Sequence, residues 1–143
     1  MKFWDTSAII PLCIDEPMTR LVVPIAREDG VMVVWWGGLV ECWSAYARLL
    51  REGVVDEMAE EQLRGITATL AVSWIEIEPS DELREIAGRL LRTHQLRAAD
   101  SLQLAAALVW SGGTPRGHQF VCLDQRLRDA ARREGFLLLP ERC

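Results

Sequence analysis

Four acidic side chains stand where an α/β chain delivers chemistry. Asp5 follows the short apolar run that opens the chain, and Asp124 follows Phe120-Val121-Cys122-Leu123 in the same way. Glu41 lies between Val40 and Cys42 in the first turns of an apolar helical stretch, and Asp100 lies in Ala98-Ala99-Asp100-Ser101 at the start of another. Acids from strand ends and helix beginnings can meet at one crevice, where they repel each other unless divalent cations neutralise them. Oxygen donors without a histidine suit hard cations, Mg²⁺ or Mn²⁺, better than zinc. Such ions activate water and stabilise charge on a phosphodiester oxygen, so the set points to metal-assisted phosphate chemistry. Each acid also has a plainer reading: Asp5 and Asp124 as caps of the helices that follow them, Glu41 and Asp100 as first-turn acids favoured by a helix dipole.

The elements that must position these acids follow from periodicity. A strand ends at Trp4, and a short helix capped by Thr6 or Ser7 follows, bent or broken at Pro11. Thr19 to Glu28 reads as a helix closed by Gly30, and Val31 to Trp35 as a β-branched strand. Leu39 to Leu50 and Asp56 to Leu70 have apolar residues at helical spacing and form a hairpin. Val72 to Ile77 reads as a strand, Ser80 as the cap of a helix reaching about Thr93, and Ala98 to Trp110 as a further helix. Phe120 to Leu123 is a central-strand candidate. A basic helix from Gln125 to Glu134 follows, closed by Gly135, and Phe136 to Leu139 is a last strand. Strands separated by helices specify the α/β class: a three-layer α/β/α sandwich with a mainly parallel central sheet. Ligands of such sheets bind at the carboxyl ends of the strands, where Asp5 and Asp124 fall.

With 143 residues, half of them hydrophobic, residues 1–143 are expected to form a single domain with an ample core. Cys13, Cys42, Cys122 and Cys143 form no metal-knuckle spacing, and free thiols are expected. No leader and no membrane-length apolar span is evident, so a cytoplasmic location is expected. The net charge of −5 excludes a general nucleic-acid coat protein. That average conceals a gradient: beyond Ile86, nine arginines face five acids. Arg89, Arg92, Arg97, Arg116, Arg126, Arg128, Arg132 and Arg133 are candidates for one basic rim, or for an ordinary solvated surface. Most of the six tryptophans read as core or interface residues, with Trp36 the best candidate for stacking on a base, while His94 and His118 read as loop or surface residues. Leu21, Val22, Val23, Ile25, Trp43 and Tyr46 are candidates for a partner face or for one core shared by several helices.

Four blocks together, Phe3-Trp4-Asp5-Thr6-Ser7-Ala8, Glu41 in a helix leading to Arg48-Leu49-Leu50-Arg51-Glu52-Gly53, Leu96 to Ala105 around Asp100, and Val121-Cys122-Leu123-Asp124-Gln125-Arg126-Leu127, resemble a PIN domain of the VapC toxin type. The resemblance spans nearly the whole chain, and its weight lies in the order of the four blocks. It implies a PIN-like fold and a Mg²⁺- or Mn²⁺-dependent endoribonuclease in which Asp5, Glu41 and Asp100 match the acidic metal-binding core. Asp124 matches a fourth, more variable acid that holds a second ion or orients water, and Thr6 or Ser7 matches the hydroxyl position beside the first aspartate. It also implies a homodimer held inactive by a cognate VapB-like antitoxin, with operator DNA bound only through the antitoxin complex. Gln103 stands where many relatives carry histidine, Cys122 where threonine or serine is common, and Trp35-Trp36-Gly37-Gly38 in place of smaller polar residues. These departures bear on substrate choice and on a second ion. Arg126 is the nearest candidate for contact with the RNA substrate. Two other readings compete: an acid-lined small-molecule phosphohydrolase, weakened because position 7 is Ser, and a non-catalytic PIN-like scaffold that binds RNA or protein.

Overall fold

The computed structural model describes all 143 residues. In chain order the elements are β1 (Lys2–Trp4), α1 (Thr6–Cys13), α2 (Thr19–Glu28), β2 (Met32–Trp35), α3 (Gly38–Arg51) and α4 (Glu57–Ala71). They continue with β3 (Ile75–Ile77), α5 (Asp81–Thr93), α6 (Ala98–Trp110), β4 (Gln119–Val121), α7 (Gln125–Glu134) and β5 (Leu137–Leu139). The five strands form one sheet in the order β3-β2-β1-β4-β5, with every pairing parallel. Helices cover both faces, giving the expected three-layer α/β/α sandwich.

Alternation along the strands divides the core in two. Phe3, Val33, Trp35 and Phe120 point to the layer of α5, α6 and α7, where Leu83, Leu90, Leu104 and Leu127 meet them. Trp4, Met32, Val34 and Val121 point to the opposite layer, against Ala8 and Ile9 of α1, Val22 of α2, Cys42 and Tyr46 of α3 and Leu63 of α4. Val22 and Tyr46 are therefore core residues with no exposed surface, and the expected partner face loses both. The four cysteines are free thiols.

Several boundaries differ from the reading of the sequence. Asp5, and neither Thr6 nor Ser7, caps α1: its carboxylate accepts the Ser7 backbone N–H at 3.1 Å. Pro11 lies inside α1, which continues to Cys13. β3 begins only at Ile75, because α4 extends to Ala71 with Val72 as its helical C-cap, and the Ser73 hydroxyl donates back to the Leu70 carbonyl. The closing residue of α2 is Asp29, ahead of Gly30. The caps expected at Ser80 and Asp124 are in place, and Gly135 closes α7 at φ 113, a left-handed conformation that suits glycine.

Two side chains are more covered than the sequence suggests, although His94 keeps its expected place in the loop after α5. Arg128, on the buried side of α7, is 2% exposed. Its guanidinium donates to the carbonyls of Cys122 at 2.7 Å and Pro140 at 2.7 Å, joining the end of β4 to the chain after β5. It therefore leaves the basic rim. The His94 side chain is 5% exposed because its Nε2 pairs with Glu134 Oε2 at 2.6 Å across α5 and α7.

Candidate active site

Sheet order reverses direction at β1: β2 lies to one side of it and β4 to the other. Crevices in parallel sheets open at such a point, beyond the carboxyl ends of the strands. The end of β1 is fixed there by the Asp5 N–H, which donates to the Val121 carbonyl at 3.0 Å. A cleft of about 670 Å³ opens beside it, lined by Asp5, Glu41, Asp100 and Asp124 together with Thr6, Ser7 and Arg126. All seven residues singled out in the sequence thus reach one cavity. Asp5 and Asp124 come from the sheet edge, Glu41 from the first turn of α3 on one face, and Asp100 from the first turn of α6 on the other.

Hydroxyl, amide and thiol groups set the acids in place. Ser7 Oγ donates to Asp5 Oδ2 at 2.5 Å and accepts the Leu123 N–H at 2.9 Å, so it ties the carboxylate to the end of β4. Cys122 Sγ reaches the same Asp5 oxygen at 3.5 Å. Gln103 is buried, and its Nε2 donates to Glu41 Oε2 and to Thr6 Oγ1, each at 3.0 Å. Its Oε1 has no hydrogen-bond partner. Asp124 keeps its helix-capping task, accepting the Leu127 N–H through Oδ1 at 2.9 Å, while also lining the cleft. The capping and cleft readings of Asp5 and Asp124 are therefore compatible.

The electrostatics follow from this crowding. Burial pushes Asp5 up to about 6, with a further push from Asp100 and opposition from the bonds of Ser7 and Cys122. Burial, then the charges of Asp5 and Asp100, push Glu41 up to about 7 against the Gln103 bond. Burial and Asp124 hold Asp100 above the usual carboxylate range, although Arg97 and Arg126 pull the other way. None of the four acids forms an ion pair with a protein cation.

A hard divalent cation fits this donor set by chemistry: oxygen donors, mutually repelling and unneutralised from within. No three acidic, histidine or cysteine side chains converge closely enough to bind an ion unaided. Mg²⁺ does not require that, since it commonly binds through one or two carboxylates and completes its shell with water and substrate phosphate oxygens.

The sequence reading passed over Arg48 and Arg51 as functional candidates, yet both line the cleft, beside Arg97 and Arg126. Their signal was spacing: they recur at three residues on α3, on the turn that follows Glu41, Ser44 and Ala45 along one face. Trp36 is 52% exposed but lies outside the cleft lining, while Trp35 is buried. A Cβ on Gly37 would come within 2.4 Å of Trp35 Nε1, which explains a glycine at the entry to α3.

No protein-family model and no curated protein sequence matches the chain. Solved structures do. The chain is similar to VapC20 of Mycobacterium tuberculosis, described as a sarcin-ricin loop cleaving toxin, with a TM-score of 0.69 and 17% identity over 96% of this chain and 97% of that one. It is similar to FitAcB of Neisseria gonorrhoeae, with a TM-score of 0.68 and 16% identity over 99% and 98% of the two chains. VapBC2 of Rickettsia felis, bound to a DNA fragment from its promoter, gives a TM-score of 0.65 and 10% identity over 96% and 97%. Matched over nearly its whole length, the chain has the PIN-like fold of these toxin–antitoxin proteins.

Proposed function

We propose that the protein is a VapC-type toxin, an endoribonuclease that uses Mg²⁺ or Mn²⁺ and is neutralised by a VapB-like antitoxin. The observation that carries this reading is the meeting of Asp5, Glu41, Asp100 and Asp124 in one cleft at the switch point of a parallel sheet. A divalent cation, when bound, would supply activation of water and stabilisation of charge on the phosphodiester. Asp5, Glu41 and Asp100 are the residues assigned to hold it, with Asp124 for a second ion or for orienting water. The chain's own task is to present those oxygens. Ser7 immobilises one oxygen of Asp5 and Gln103 one oxygen of Glu41, leaving Asp5 Oδ1 and Glu41 Oε1 without protein partners. Arg48, Arg51, Arg97 and Arg126 supply positive charge at the rim for the phosphates of the substrate. Since hydrolysis by this route does not use the 2′-hydroxyl, preference for RNA rests on contacts outside the cleft chemistry.

The partners are inferred from the neighbours, which include a toxin–antitoxin complex from Klebsiella pneumoniae and the promoter-bound VapBC2. They support an antitoxin partner, and operator binding through that complex; a homodimer belongs to the same proposal. No helix is long and apolar enough to cross a membrane.

The test is incubation of antitoxin-free protein with a mixed structured RNA pool and Mn²⁺, beside folded Asp5→Asn and Asp100→Asn proteins. Cleavage by the parent alone, stopped by EDTA, is expected. Full activity in either variant removes that residue from the mechanism. RNA binding without cleavage by the parent returns the scaffold reading, and turnover of a small phosphate ester in its place returns the phosphohydrolase.

A further inference from the structure

A second depression, of about 620 Å³, adjoins the acidic cleft. One wall is the end of α5 and the segment after it, with Arg92 and Gln95; the other is α7, with Arg126, Asp129 and Arg133. Arg126 lines both cavities and is the residue at which they meet.

Positive charge is in excess in this groove, where three arginines face one acid. Arg92, Arg126 and Arg133 form no ion pair, in contrast to Arg84, Arg89 and Arg132. The one acid of the lining, Asp129, is already engaged by Arg132 at 3.2 Å and Gln125 at 2.9 Å. The walls are fixed to each other as well. Glu134 of α7 accepts from Arg89 Nη2 at 3.0 Å and pairs with His94 Nε2 at 2.6 Å, which binds the end of α5 to α7 beneath the groove. Three unpaired guanidinium groups on preorganised walls form a polyanion site, since their planar forks match phosphate oxygens. Apolar lining is limited to Leu91 and Ala130, little anchorage for a docked polypeptide.

We propose that this groove binds the phosphate backbone of the RNA strand flanking the scissile bond, with Arg126 as its junction with the acidic cleft. The assignment rests on the ribonuclease reading and extends it: the acids cut, and a separate basic track holds the strand. The groove supplies affinity that depends on strand length, not on base identity, because backbone contacts position without reading sequence.

The experiment measures anisotropy of labelled single-stranded RNAs of about 4 and about 12 nucleotides, in EDTA to prevent cleavage. The proteins are the parent, the double variant Arg92→Ala/Arg133→Ala, and Arg20→Ala/Arg27→Ala, which removes the same charge from exposed positions on α2. The parent is expected to bind the longer RNA more tightly than the shorter. Arg92→Ala/Arg133→Ala is expected to weaken the longer RNA on the order of ten-fold, with a salt slope shallower by about 1.4, the value for two lost contacts to a single strand. Equal weakening in Arg20→Ala/Arg27→Ala, or unchanged binding in Arg92→Ala/Arg133→Ala, overturns the proposal. So does an acidic peptide of matched charge that binds as tightly as the RNA, which makes the groove a polypeptide-docking face. Failure of the two readings is separable. If Arg92→Ala/Arg133→Ala loses RNA while the parent cuts nothing with Mn²⁺, the groove stands and the nuclease falls; if the parent cuts and Arg92→Ala/Arg133→Ala binds as the parent does, the reverse holds.

Discussion

Gln103 shows how one side chain can set the chemistry of another. Its Nε2 serves both Glu41 and Thr6, while its Oε1 is buried without a partner. An unpartnered buried carbonyl is costly, so the amide is retained for what its nitrogen donates. That bond favours the charged form of Glu41, which burial and two neighbouring carboxylates push up to about 7 even against it. Gln103→Ala removes the bond, and Glu41 should then ionise at still higher pH. The acidic limb of the cleavage profile is expected to move alkaline by about one pH unit, the equivalent of one charge-assisted hydrogen bond of roughly 1.5 kcal/mol. Activity lost near neutrality should return at higher pH, a recovery that simple misfolding would not give. A pH–rate profile superimposable on the parent's would exclude this role.

At the scale of elements, Arg128 joins parts that hydrophobic packing alone leaves loose. β4 and β5 are three residues each, and Pro140 to Cys143 follow β5 without forming a strand. The Arg128 guanidinium answers the Cys122 and Pro140 carbonyls. Arg128→Ala leaves these acceptors buried and unpaired, with an expected loss of about 3 kcal/mol by urea unfolding; a loss below about 0.5 kcal/mol, the ordinary surface value, would show the contacts to be inert. This residue also marks where the sequence stops being readable. Sequence pattern located all five strands and seven helices, because the short apolar runs of β1, β2 and β4 and the helical stripes are local patterns. Asp5, Glu41, Asp100 and Asp124 were legible as a set because each adjoins an element boundary. Arg128 and His94 were not, since their burial is decided by partners across α7: backbone carbonyls for one and Glu134 for the other. Charge alone placed Arg128 with its neighbours on the rim. The fraying of β3 to Ile75 was hidden for a related reason: Val72 has strand propensity, but the last turn of α4 claims its backbone.

For the whole molecule, the acidic cleft opposes folding stability. Asp5 is raised from 3.8 to about 6 and Glu41 from 4.5 to about 7, so the folded state binds more protons than the unfolded chain across that interval. Stability then falls as pH rises from about 4 to about 7 and levels off above it. Glu134 acts in the opposite sense: burial raises its pKa, but the bonds from Arg89 and His94 prevail and lower it, so its stabilisation is present above 4.5 and is lost in stronger acid. The metal-free protein should therefore be most stable in the mildly acidic range between these effects. Asp5 alone accounts for on the order of 3 kcal/mol of the decline, at about 1.4 kcal/mol per pH unit. A divalent cation bound to the ionised carboxylates reverses the penalty, because a ligand of the folded state adds its binding free energy to stability. Thermal midpoints in EDTA should drop between pH of about 5 and about 7.5, and Mn²⁺ should restore the upper end, with Asp5→Asn flattening the EDTA curve and blunting the Mn²⁺ gain. An EDTA curve that rises over this range would mean that burial and neighbouring charge do not hold Asp5 and Glu41 above the usual carboxylate range. A falling curve that Mn²⁺ leaves untouched would separate the cost of ionising buried, crowded carboxylates, which the fold creates, from the cation proposed to relieve it.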